Sequence, residues 1–102
     1  MIKHFRHKGS AERYIGILFS GDNEEEVLDF ICKHNKDRWN PRVDNTKREG
    51  YLWISVSSCV PVGGWVLISK SDGGYWVTDG EEELDSWFKV DKVAPLSYLF
   101  GE

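Results

Sequence analysis

The spacing of hydrophobic positions changes along the chain, and each change marks an element. From Glu12 to Gly21, ERYIGILFSG, β-branched and aromatic residues run close together and stop at a glycine, the pattern of a strand that ends in a turn. From Asp22 to Asn35, DNEEEVLDFICKHN, apolar residues recur at three- to four-residue spacing: Val27, Leu28, Ile31 and either Phe30 or His34. That period places them on one face of a helix that packs on a sheet. Asp22 is the expected N-cap, with Glu25 at capping-box spacing, and Glu24, Glu25 and Glu26 favour the positive end of the helix dipole.

The segment Lys36 to Gly50, KDRWNPRVDNTKREG, follows neither period and contains Pro41, so it reads as a loop with Trp39 as its large anchor. Tyr51 to Ser58 alternates as a strand does, and Gly64 to Lys70, GWVLISK, reads as a buried strand. Ser71 to Gly74, SDGG, has the turn chemistry of a hairpin, with Gly74 to Asp79 as the returning strand. A short helical turn is expected from near Asp79, folding Leu84, Trp87 and Phe88 back to the core, and FKVDKV adds a last strand. The basic N-terminus reads as a strand or an arm. These elements predict an α+β fold, a mainly antiparallel sheet of about four to five strands with one main helix and a short C-terminal helical turn.

With 102 residues, 40% of them hydrophobic and 14% aromatic, the chain suits one core and is expected to form a single α+β domain over residues 1–102. No stretch nears the roughly 20 apolar residues that span a bilayer, and Met1 to Arg6 lacks the apolar core of a signal peptide, so a cytoplasmic location without membrane contact is expected. Cys32 and Cys59 lack ligand spacing and are expected to be reduced structural thiols.

The net charge of −4 is unevenly arranged. Lys3, Arg6 and Lys8 open the chain, and Lys36, Arg38, Arg42, Lys47 and Arg48 form a second basic stretch; Asp79, Glu81, Glu82, Glu83 and Asp85 form an acidic cluster after the Trp-rich strands. Charge runs are most often solvated decoration, but clustered acids also create a field that attracts a basic partner. Net negative charge disfavours duplex nucleic acid.

The strand plan and two quoted stretches resemble the small phage and prophage proteins called the PGDYI family. The matching pieces are FSGDNEEEVLDFI (Phe19 to Ile31) and VPVGGWVLISKSDGGYW (Val60 to Trp76), in which Gly63, Trp65 and Val66 fit, while Val62 and Gly64 stand where the family usually has Pro and Asp. The resemblance implies a viral or prophage origin, a compact α+β fold and a role in the host cytoplasm, and it names no active residue.

Candidate chemistry is sparse. His4 and His7 have a His-x-x-His spacing, yet a metal site needs further ligands and their neighbours are Lys, Arg and Phe, so no metal and no cofactor are expected. Gly63-Gly64 and Gly73-Gly74 lead into strands, which favours turns over a phosphate cradle. No nucleophile motif occurs, and the chain is read as a non-enzyme. Trp53, Trp65 and Trp76 fall in strands, where aromatic rings usually fill cores.

Two binding readings follow. In the first, Glu81, Glu82, Glu83, Asp85, Trp87 and Phe88 dock a host protein with a basic surface, as an inhibitor of a defence or nucleic-acid enzyme would. In the second, a small molecule or nucleotide stacks on the strand tryptophans, Arg38, Arg42 or Arg48 meets its phosphates, and Trp39 in the same basic loop is a further ligand-binding candidate. On the first reading, charge reversal at Glu81, Glu82 and Glu83 is expected to leave folding nearly intact. Neither reading fixes the oligomeric state.

Overall fold

The structure is a computed structural model, and it describes residues 2–35, 47–48, 51–54 and 58–91. Strands β1 (Ile2–His7), β2 (Arg13–Leu18), β6 (Trp65–Ser69), β7 (Tyr75–Thr78) and β8 (Phe88–Val90) form a five-stranded sheet in the order β7-β6-β2-β1-β8. All of its pairings are antiparallel. A second sheet, in the order β3-β4-β5, joins β3 (Lys47–Arg48), β4 (Tyr51–Trp53) and β5 (Cys59–Pro61). Helix α1 spans Glu24–His34 and helix α2 spans Glu81–Trp87. The fold is α+β, as the pattern predicts.

Both faces of the large sheet are covered. On one, Ile17, Val66 and Ile68 pack with Val27, Leu28, Phe30 and Ile31 of α1 and with Leu52, Ile54 and Val60 around the small sheet. On the other, Phe5, Trp65, Leu67 and Phe88 pack with Leu84 of α2. Strand β6 lies between these clusters, and all five of its residues are buried. This explains its unbroken apolar run, since a strand covered on both faces loses the alternation of a half-exposed one.

The β6–β7 hairpin forms where expected. Leu67 pairs with Trp76 and Ile68 with Tyr75. In the turn, Ser69 N–H donates to Gly74 O at 2.8 Å, and Gly73 takes φ +79°, a left-handed conformation in which glycine carries no Cβ penalty.

Of the two readings of the basic N-terminus, strand or arm, the strand forms: β1 is integral and lies between β2 and β8, with Phe5 facing inward. Other expectations need correction. Helix α1 is capped at Asn23, one residue after the expected Asp22, and no capping box forms. The Asp22 carboxylate instead accepts the Ser20 hydroxyl at 2.7 Å, and the Asn23 amide accepts Ser20 N–H at 2.9 Å and donates to Leu18 O at 2.8 Å. These side chains therefore close the β2–α1 turn. The strand expected over Tyr51 to Ser58 is shorter, and Cys59–Pro61 adds one that was not foreseen; Pro61 is tolerated because β5 is an edge strand.

Gly64 is a close-approach glycine: a Cβ there would lie 2.5 Å from Thr78 O and 2.9 Å from Val60 Cγ2. Gly64→Ala is therefore expected to destabilise by about 1–3 kcal/mol through overpacking. Gly80→Ala, where a Cβ meets nothing within 4 Å, should be nearly neutral. Trp65→Ala should cost about 3–5 kcal/mol through lost burial and a cavity, and the half-buried Trp76 should cost less. Urea unfolding midpoints across the four variants check this ranking.

Candidate functional site

The acidic segment becomes α2 and its preceding turn, and its members do different work. Glu83 is partly buried, and its carboxylate accepts Asp79 N–H at 2.7 Å, tying down the start of its own helix. Glu81 accepts the Trp65 indole N–H at 3.2 Å, which satisfies a ring that is otherwise in the core. Glu82 and Asp85 are exposed. Asp79, Gly80, Glu81, Glu82, Glu83 and Ser86 line a depression of about 500 Å³.

Trp87 and Phe88, adjacent in sequence, separate in space. Trp87 is 48% exposed, whereas Phe88 is 2% exposed and packs in the core. Phe88, like Leu84, folds back to the core as the helical turn predicts, and Trp87 does not join them. Phe88 thus departs from the docking role also expected of it, because it opens β8 and its ring meets Phe5, Tyr14 and Trp76 on the inward side of the strand. Trp87 instead lies against His7, with ring centroids 6.1 Å apart and planes within 28°, and against Trp76 at 5.9 Å. His7 is oriented in turn by Gly9 N–H and Ser10 N–H, which donate to its Nδ1 at 3.0 and 3.3 Å. The Lys8 ammonium donates to the Asp85 carbonyl, joining the basic N-terminus to α2. The result is a supported aromatic surface of His7, Trp76 and Trp87, while Glu82 and Asp85 project from the other side of α2.

The residues of the second binding reading are not brought together in view. Arg38, Trp39 and Arg42 lie outside the described residues, and Arg48 is described only as backbone in β3. Among the strand tryptophans, Trp65 is 1% exposed beneath Phe5, so its face does not receive a ligand.

The histidines sort differently from their spacing. His4 and His7 are three apart on a strand, so they point to opposite faces of the sheet. His4 instead meets His34, from the last turn of α1, in a cleft of about 640 Å³ that is also lined by Ile2, Ile15, Lys33, Asn35, Ile68, Ser69 and Lys70. Burial, followed by the charge of Lys70, holds His4 below the ordinary histidine value, with Asp91 opposing. Burial, followed by Lys33, His4 and Lys70, does the same to His34. Burial also lowers Lys70. Sequence reading missed this grouping because its members are far apart in the chain, and only the packing of α1 on β1 unites them.

No family model, curated protein or solved structure matches the chain. Among the described residues, no three His, Cys, Asp or Glu side chains are grouped to hold a metal, and no helix is long and apolar enough to cross a membrane.

The two depressed imidazoles set a pH dependence. The folded state disfavours their protonation, so the unfolded chain binds more protons below the ordinary value of 6.5. Their stabilisation is complete above that value and is lost as pH falls through the lower folded values. Between about pH 7.5 and about pH 5.5, urea stability should therefore decline, and His4→Gln with His34→Gln should flatten the decline.

Proposed function

We propose that this chain is a non-enzymatic binding protein that docks a basic protein partner on the surface formed by Trp87, Trp76, His7 and the exposed acids of α2. The observation that carries this reading is Trp87: a half-exposed indole whose inner side rests on His7 and Trp76 while Glu82 and Asp85 stand exposed on the same helix. A ring already held in place loses little rotamer freedom on binding; its exposed face suits an arginine or lysine side chain, and the acids of α2 add a field that draws a basic partner. Resemblance to the PGDYI proteins supports a phage or prophage source, with a host enzyme of defence or nucleic-acid metabolism as the target and inhibition in the host cytoplasm as the effect.

The site residues differ in weight on this reading. Trp87, Glu82 and Asp85 contact the partner, Glu81 contributes charge while bound to Trp65, and Glu83 and Phe88 support the surface from within. Reversal at all of Glu81, Glu82 and Glu83 is consequently a poor test, since it also removes the bonds to Trp65 and Asp79. The alternative, a sequestering role toward a small molecule or nucleotide, uses Trp39, Arg38, Arg42 and Arg48.

The test is affinity capture with the tagged chain from a bacterial lysate, followed by titration of the purified partner against variants. Trp87→Ala should cost about 2 kcal/mol or more of binding free energy, as a central aromatic anchor does. Glu82→Lys with Asp85→Lys should weaken association and flatten its salt dependence while changing stability by under about 0.5 kcal/mol each. Unchanged binding by both variants, with loss on Trp39→Ala or Arg42→Ala, would replace this reading with the alternative.

A further inference from the structure

We propose that the cleft between the last turn of α1 and the β1–β2–β6 face binds a small amphipathic anion, with a carboxylate or phosphate head and a compact apolar body. Strand alternation places this cleft on the opposite side of the large sheet from Trp87, so it is a second surface, independent of the one that docks a protein partner.

The lining sorts by chemistry. Ile2, Ile15 and Ile68 supply an apolar floor, Lys33 and Lys70 supply two ammonium groups, and His4 and His34 supply two imidazoles. The volume of about 640 Å³ falls within the roughly 300–1,000 Å³ of small-ligand sites. Several of the groups that would oppose an anion are already bonded to protein donors. The last turn of α1 presents carbonyl oxygens, and one of them, Ile31 O, accepts both the backbone N–H of Asn35 at 2.9 Å and its side-chain amide at 2.7 Å. Asp91 borders the cleft, where its charge raises the proton affinity of His4 and Lys70, and it is ion-paired with Arg6 at 3.5 Å and Arg13 at 3.8 Å. The Glu12 carboxylate accepts the hydroxyls of Ser69 at 2.5 Å and Ser71 at 2.7 Å, which also fixes the turn that carries Lys70.

Glu26 and Asp29 bound the cationic zone on the far side, lining an adjoining groove with Ile2, Phe30, Lys33 and His34. Among the described residues, the charged groups around the imidazoles are Lys33, Glu26 and Asp29 on α1, Lys70 after β6 and Asp91 after β8, with Arg13 beside Lys70. In the free protein the lysines discourage protonation of His4 and His34. An anion in the cleft offsets that repulsion, raises both imidazoles' proton affinity, and binds with proton uptake.

The full chain is titrated with benzoate and with phenyl phosphate, with benzyl alcohol as the neutral control, while amide chemical shifts are followed. Saturable shifts confined to residues around His4, Lys33, His34 and Lys70 are expected from at least one anion. Benzoate alone identifies a carboxylate head, phenyl phosphate alone a phosphate head, and both a site that accepts either. Lys33→Ala with Lys70→Ala changes two exposed side chains, so folding is retained, and affinity should fall about tenfold per lysine. For benzoate, whose own charge is constant there, affinity should rise as pH falls from about 7.5 to about 5.5. The proposal is overturned by no saturable shift from either anion, by equal binding of benzyl alcohol, by unchanged affinity in the lysine variant, or by an affinity that does not change with pH.

Discussion

Strand β6 must be covered on both faces, and the rest of the fold answers that requirement. Trp65, Val66, Leu67, Ile68 and Ser69 are each no more than 3% exposed. Their backbone groups are met on both edges by β2 and β7, as buried N–H and C=O groups require. Val66 and Ile68 are covered by α1, while Trp65 and Leu67 are covered from the other side by Phe5, Leu84 and Phe88. Two polar contacts finish the burial of Trp65. Its backbone N–H donates to the Thr78 hydroxyl at 3.2 Å, and its indole N–H donates to Glu81. The second of these attaches α2, and with it Trp87, to the most buried strand of the protein.

The elements that could be read from the sequence were those whose signal is local. The period of Val27, Leu28 and Ile31 gives α1, and SDGG between two apolar runs gives the β6–β7 hairpin; both depend on residues a few positions apart. β1 reads as either strand or arm because its one fully inward side chain, Phe5, stands among charged residues and histidines, and β5 escapes the pattern because three residues ending in Pro61 are too few to show a period. The cap moved from Asp22 to Asn23 because the turn back to Leu18 O competes for the same side chains, and spacing alone does not weigh that competition.

Site residues followed the same division. The acidic run could be seen as a charge cluster, but not how its carboxylates are shared out, since Glu81 reaches Trp65 and Glu83 reaches Asp79 only once α2 is in place. Trp87 and Phe88 looked equivalent in sequence and differ because the chain passes from helix to strand between them, turning one ring out and the next in. His4 and His7 show the converse. A spacing that suggests a shared ligand in sequence places the rings on opposite faces of a strand.

That alternation has a consequence for the charge of the molecule. Strand β1 sends His4 toward Lys33, His34 and Lys70, and His7 toward Trp76 and Trp87 near the acids of α2. The cations of the cleft and the acids of α2 therefore stand on opposite sides of the large sheet, separated by a low-dielectric core. Glu12 shows how local contacts decide the role of an individual carboxylate. Hydroxyl bonds from Ser69 and Ser71 lower its proton affinity below the ordinary carboxylate value, opposite to the upward shift that prepares a carboxylate to act as a base near neutral pH. The contact works as a tie between the β1–β2 turn and the end of β6, and it holds Lys70 at the mouth of the cleft.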